Sequence, residues 1–391
     1  MMKSFLTTLI IASMVIVAGC LSVTPGTGTP GGVEYPSTTS ETSSPSTPTP
    51  ATTPPVTWTN PLVKWENATI SLPSQDAELN CPGILWRYLL KDALECMLSG
   101  KELDVISPLA EQLKGENLPQ SAWNVLEWEG EWLSYDWEKA SQPFAKVIIY
   151  PDGRQEVVEG QNNTIQTPYE TIMRRKGVCT DYTVLTDALL LAMNHSPVYA
   201  MAINLTDLGH ATALVKIGGW YFALDQHLPP MDLGAYYRYW ERQGSTIINA
   251  TLYEITPGEN QANVKNLGTI RGYEFLNQDY TMTDADARNL AYSMMNVFYG
   301  DFGLKADESL TSLSDGKLPG GYKAGWTWGV TYYNLADYYH PFFQEQYTEW
   351  LVSQMLSDQE FLSYVQKSDS LWIEVKIEGN DLVVTIYLGS S

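Results

Sequence analysis

Gly177-Val-Cys-Thr-Asp181 runs directly into Tyr182-Thr-Val-Leu-Thr-Asp-Ala-Leu-Leu-Leu-Ala-Met193. Downstream come Gly209-His-Ala-Thr-Ala-Leu-Val215, then Gly218-Gly219, then Trp220-Tyr-Phe-Ala-Leu-Asp225. From Cys179 onward, Tyr182, Leu185, Leu189 and Ala192 recur at helical spacing, with Val184, Ala188 and Met193 widening the stripe. Gly177 precedes this helix and Pro197 ends it. Cys179 therefore falls in a first helical turn, where unpaired N–H groups and the helix dipole favour a thiolate. The alternative for such a cysteine is a buried structural thiol.

Gly218-Gly219 is a two-residue turn signal, so Ile217 is expected to pair with Trp220. That register sets Thr212 opposite Asp225 and His210 opposite His227. Ala211, Ala213, Val215 and Ile217 then share an apolar face with Trp220, Phe222 and Leu224. His210 and Asp225 become diagonal neighbours on the other face, about 7–8 Å apart at the backbone. A slip of one residue would part them. His227 rivals His210 on spacing alone.

Gly-x-Cys-x-Asp entering an apolar helix, His-Ala on a strand, and Asp ending the next strand after a Trp resemble the transglutaminase-like superfamily. The helix from Ala122 to Asp136, rich in Trp and Leu and ending Leu133-Ser134-Tyr135-Asp136, fits the same resemblance. Together these motifs span roughly residues 122–230. Thr212 departs from the pattern, which often has Trp after His-Ala. The resemblance implies an α+β fold with a papain-like core, in which the helix bearing the cysteine packs on an antiparallel sheet. It implies Cys179 as nucleophile, His210 as base and Asp225 as orienting acid, and it decides for His210 over His227. No cofactor and no metal are expected.

The 391-residue chain has room for two domains, and its 44% hydrophobic content with 13 Trp and 24 Tyr can build a sizeable core. Lys plus Arg number 23 against 45 Asp plus Glu, a formal net charge of −22. That surface repels phosphates, so nucleic acid is not an expected partner. Residues 1–20 read as an export segment: Lys3, an apolar run from Phe5 to Val17 too short to span a membrane comfortably, then Val17-Ala-Gly-Cys20. This ending resembles a lipoprotein-processing box, with Cys20 lipidated and the chain held at the outer face of the membrane; a plain signal peptide or an uncleaved anchor are the alternatives. Residues 21–57, mostly Thr, Ser, Pro and Gly, read as a stalk.

A catalytic domain is expected over 58–260 and an accessory region over 261–391, mainly helical and ending in a β-hairpin about Gly379-Asn380. With Cys20 and Cys179 assigned, Cys81 and Cys96 remain as a disulfide in an exported chain; two separate thiols are the alternative. No Cys or His spacing resembles a zinc site. Asn-x-Ser/Thr sequences at Asn67, Asn162, Asn194, Asn204 and Asn249 permit glycosylation. Ser121 is expected to cap the Trp-rich helix and Thr167-Pro-Tyr-Glu170 to form a capping box. His195 reads as solvated, and His340 as capping or packing. Trp137 is a candidate second oxyanion donor beside the Cys179 backbone N–H. Two functions are open. One is an extracytoplasmic cysteine hydrolase or acyltransferase on peptide or amide bonds. The other is an idle module that binds protein or glycan.

Overall fold

The structure, a computed structural model, describes Trp65, residues 72–258 and residues 260–391. The export segment, Cys20, the stalk and Asn67 lie outside these residues. In chain order the first half comprises α1 (Leu90–Met97), α2 (Gly100–Leu113), α3 (Leu118–Trp132), β1 (Ser134–Tyr135), α4 (Trp137–Ala140), β2 (Lys146–Ile149), β3 (Gln155–Glu159), α5 (Pro168–Arg174), β4 (Lys176–Gly177) and α6 (Cys179–Ala192). There follow β5 (Val198–Leu205), β6 (Gly209–Ile217), β7 (Trp220–Leu224), β8 (Met231–Asp232), α7 (Leu233–Arg242), β9 (Ile247–Thr256) and β10 (Asn263–Arg271). The last third holds α8 (Asp284–Phe302), β11 (Lys305–Ala306), β12 (Ala324–Tyr332), α9 (Leu335–Tyr338), α10 (Gln344–Ser357), α11 (Gln359–Lys367), β13 (Ser370–Glu378) and β14 (Asp381–Ser390).

Helix α6 is the hub of an α+β core. Every residue from Cys179 to Leu191 is buried, more than an apolar stripe requires. It packs on β5 and β6 on one side and on α2, α3 and α5 on the others. A helix wrapped all round is apolar all round apart from polar groups with work to do. Val184, Leu185, Leu189 and Leu190 are fully buried, each stabilising by about 1.5–3 kcal/mol.

The central sheet runs β10-β9-β5-β6-β7-β8, and every pairing in it is antiparallel. The Gly218-Gly219 hairpin has the expected register, with Ile217 opposite Trp220 and Ala213 opposite Leu224. Both glycines take positive φ, +58° and +92°, which side-chain-bearing residues resist. Thr167 and Glu170 form the capping box of α5. Asn117, not Ser121, caps α3: its side chain accepts from the Gln120 N–H at 2.9 Å, with Pro119 in the first turn. Ser121 is buried one turn inside, where its hydroxyl accepts from Gly115 N–H and meets His195 Nε2. His195 is thus half-buried and bonded rather than solvated.

The boundary expected at residue 260 falls inside this sheet, because β10 pairs along β9. A bulge lies between Asn266 and Gly268, with Gly268 at φ +111°. The last third adds a four-stranded sheet, β11-β13-β14-β12, covered by helices that include α8 and α11. The hairpin about Gly379-Asn380 is present as β13–β14. The Gly- and Trp-bearing stretch 324–332, in a region expected to be mainly helical, forms β12, whose Trp326, Trp328 and Val330 alternate along β14. One continuous hydrophobic core includes residues of both units. Cys81 and Cys96 are joined by a disulfide, with Cα atoms 5.7 Å apart. No helix among the described residues is long and apolar enough to cross a membrane.

Candidate active site

Cys179 is the first residue of α6, and its neighbour Asp181 fixes that helix start. Asp181 Oδ2 accepts from Val178 N–H at 2.8 Å, satisfying a donor the helix cannot. The same carboxylate accepts from Gln166 N–H at 2.8 Å, Gln166 Nε2 at 3.0 Å and Lys139 Nζ at 2.5 Å. Gly177 makes room for it: a Cβ there would sit 2.8 Å from Asp181 Cβ. The Asp of the Gly-x-Cys-x-Asp motif is therefore a brace for the cysteine. The sequence named the motif but not this work.

Strands β1 and β4 pair in parallel, Tyr135 with Gly177. This sets Tyr135 beside the residues that lead into α6 and in the field of Asp225. Burial, and then that negative field, push the Tyr135 phenol above its usual range, so it stays protonated. Trp137, the expected donor, is 57% exposed and leans on the Tyr135 ring at 4.6 Å.

His210 and Asp225 meet as the register requires. His210 Nε2 lies 3.0 Å and 2.9 Å from the two Asp225 oxygens, with side chains only 6% and 7% exposed. The Tyr236 hydroxyl donates to Asp225 Oδ2 at 2.8 Å and Gln226 Nε2 to Oδ1 at 3.2 Å. Burial would raise this carboxyl; the charge and hydrogen bond of His210, with the Tyr236 hydroxyl and the charge of His227, hold it below the usual carboxylate range. The Trp240 ring meets the His210 ring edge-on at 4.9 Å. With Nε2 on the acid, Nδ1 is the nitrogen left to serve the thiol. His227 is exposed, and its backbone N–H turns onto the Asp225 carbonyl at 2.7 Å. The ring bonded to the carboxylate is that of His210.

Cys179 opens α6 and His210 lies on β6, the strand on which α6 packs. Cys179 is 1% exposed, and nucleophilic chemistry there needs it as a free thiol or thiolate. His340, remote from these residues in sequence, both caps and packs. Its Nδ1 accepts from Phe342 N–H at 3.2 Å and its ring lies among Trp220, Phe222 and Tyr280. Among the described residues no His, Cys, Asp and Glu cluster could hold a metal ion.

Tyr236 was missed by sequence reasoning. The segment reads as Tyr-rich and helical, but only the tertiary fold shows which tyrosine meets Asp225.

The chain matches the family model described as a transglutaminase-like domain over residues 104–253. It is 35% identical over 308 residues to a UPF0252 protein of Archaeoglobus fulgidus, covering 78% of this chain and 90% of that one. A UPF0252 protein of Pyrococcus furiosus is 30% identical over 304 residues, covering 76% and 84%. One from Pyrococcus horikoshii is 30% identical over 306 residues, covering 77% and 89%. The chain belongs to the family of these UPF0252 proteins, and it carries a transglutaminase-like domain.

Proposed function

We propose that the protein is a cysteine hydrolase or acyltransferase acting on peptide or amide bonds of a protein or peptide substrate. The observation that carries this reading is the His210 ring seated on both oxygens of Asp225, on the strand against which the Cys179 helix packs. In the reduced protein, His210 Nδ1 takes the Cys179 proton and the thiolate attacks the substrate carbonyl carbon. The C=O electrons move onto oxygen, where the Cys179 backbone N–H donates. Collapse expels the amine, which leaves with the proton from His210, and a thioester remains. Water or a second amine, deprotonated by the same nitrogen, then releases the acyl group. Asp225 keeps the proton on Nε2 and balances the imidazolium.

The test is to reduce the protein, offer an acyl electrophile at pH 7 and weigh the Cys179 peptide. A thioester adduct that forms with wild type and is lost in His210→Ala supports the reading. Equal labelling of both, at the rate of an ordinary thiol, would favour the binding module instead.

We also propose that the chain is exported and lipid-anchored through Cys20, on the Val17-Ala-Gly-Cys20 sequence alone. A Cys20→Ser protein that still fractionates with membranes and migrates as wild type would overturn this.

A further inference from the structure

Helix α7 touches both units of the molecule, and its two faces do different things. Tyr236 and Trp240, four residues apart, share one face. The first bonds the acid of the candidate triad and the second packs on its base. Arg238 and Arg242, also four apart, lie on the opposite side, about 200° round from Tyr236 for Arg238. Arg238 Nε donates to Asp337 Oδ2 at 3.0 Å, and Arg242 Nη1 donates to the same oxygen at 2.6 Å. Asp337 belongs to α9 of the C-terminal unit and its side chain is 14% exposed. Charge-assisted bonds so placed are little screened. Arg238 also pairs with Asp279, and the Arg242 guanidinium lies over the Tyr338 ring at 5.1 Å.

Two guanidinium donors on one carboxylate oxygen, from residues four apart, oppose rotation of α7 about its axis. The helix start is fixed as well: Asp232 accepts from Ala235 N–H and Tyr280 N–H, and Gly234 lies so close to Asp279 that a Cβ would meet it at 2.4 Å. Rotation is the coordinate that decides whether the Tyr236 hydroxyl reaches Asp225. Asp225 is faced by His210 and Gln226, by His227 beyond β7, by Tyr236 on α7, and at longer range by Glu129 on α3 and Tyr135 on β1. Of these, Tyr236 is the donor on Oδ2 that does not belong to the base.

We propose that α7 makes the C-terminal unit part of the catalytic apparatus: Tyr236 and Trp240 are positioning residues for Asp225 and His210, and the Arg238–Asp337–Arg242 clasp sets where they stand. This rests on the triad reading above. Without the Tyr236 hydroxyl, Asp225 loses a donor on Oδ2 and is held less firmly, the imidazolium is less well balanced and the thiolate forms at higher pH.

The experiment is the iodoacetamide alkylation rate of reduced, full-length protein from pH 5.5 to 9, read on the peptide carrying Cys179. Wild type, Tyr236→Phe, Asp337→Asn and Asp225→Asn are compared. Tyr236→Phe should alkylate about ten-fold slower at pH 6.5, with its inflexion moved up, as expected for one lost hydrogen bond to a charged group. Asp337→Asn should move the inflexion the same way by less, about three-fold in rate, since Arg238 keeps Asp279. Wild-type profiles for both, with Asp225→Asn altered, would overturn the inference and leave the triad standing. A shift in Tyr236→Phe alone would overturn the role of the clasp. A wild-type profile in Asp225→Asn would sink the triad and this inference together. Should Tyr236→Phe fail to fold, Asp337→Asn decides by the same profile.

Discussion

Asp225 and Asp187 are both carboxyl groups buried around α6, and they are held in opposite states. Asp225 receives His210, Tyr236 and Gln226 and is kept below the usual carboxylate range against its burial. Asp187, midway along α6, has neither oxygen bonded, and burial followed by the nearby Glu129 raises it well above that range. Glu129 itself is raised to about 8 by burial. Thr186 Oγ1 has one hydrogen to share between Glu129 Oε1 at 2.7 Å and the Tyr182 carbonyl at 2.8 Å. If Thr186 donates to the carbonyl, the other proton is that of a carboxylic acid. Burial sets the cost of a charge; partners decide whether the protein keeps it. The end of α6 that bears Cys179 is supplied with donors, and its middle is left to neutral acids.

The comparison breaks first at Asp225. Asp225→Asn should retain the fold but lower kcat by about 10³–10⁴, because the amide favours the wrong imidazole tautomer. Turnover of the substrate that acylates Cys179, together with a thermal melt, checks it; a loss below ten-fold would mean that Asp225 only packs.

Next in size is Asp181, the donor-rich carboxylate on the same helix. Asp181→Ala strands a largely buried Lys139 and two Gln166 donors, so it should cost about 3–5 kcal/mol in urea unfolding. A cost under 1 kcal/mol would show that water replaces the carboxylate without loss.

The neutral acids predict a pH dependence of stability. Glu129 at about 8 and Glu102 at about 9, both raised first by burial, take up protons on folding. Their contribution is complete below the unfolded value near 4.5 and is lost as pH rises through the folded values. The melting temperature should therefore fall by about 5 °C between pH 5 and pH 8.5. In Glu129→Gln, whose amide can still donate to Thr186, the fall should be smaller. A melting temperature that rises over this window would mean that these acids are ionised.

The smallest effect sharpens the contrast. Asp187→Asn replaces one neutral group with another of the same shape, so activity should stay within about two-fold and stability at pH 5 within about 0.5 kcal/mol. A large loss would show that Asp187 carries a charge after all.

Much of this site was legible in the sequence because it is built from local signals. Two glycines fix the hairpin register, the register brings His210 to Asp225, and a helix pattern puts Cys179 in a first turn. What was not legible is non-local. Asn117 outcompetes Ser121 as a cap because the helix already starts at Leu118, with Pro119 in its first turn. Trp137 turns outward while Tyr135 is partly buried, a choice that goes with the β1–β4 pairing of Ser134 with Lys176 and Tyr135 with Gly177. Tyr236 is one tyrosine among several until α7 docks. The misplaced boundary at residue 260 has a similar cause: β10 carries a half-exposed polar pattern that reads as a fresh start, although its backbone continues the sheet.

That edge strand also bears on how the molecule keeps company. A row of unpaired backbone groups invites any extended chain to line up alongside. Here the row is broken by the bulge at Asn266–Gly268 and flanked by Lys265 and Arg271, while the opposite edge, β8, is two residues long. Neither margin offers the five or six aligned residues of an ordinary strand. Growth of the sheet by copies of itself, and aggregation through its margins, are thereby disfavoured.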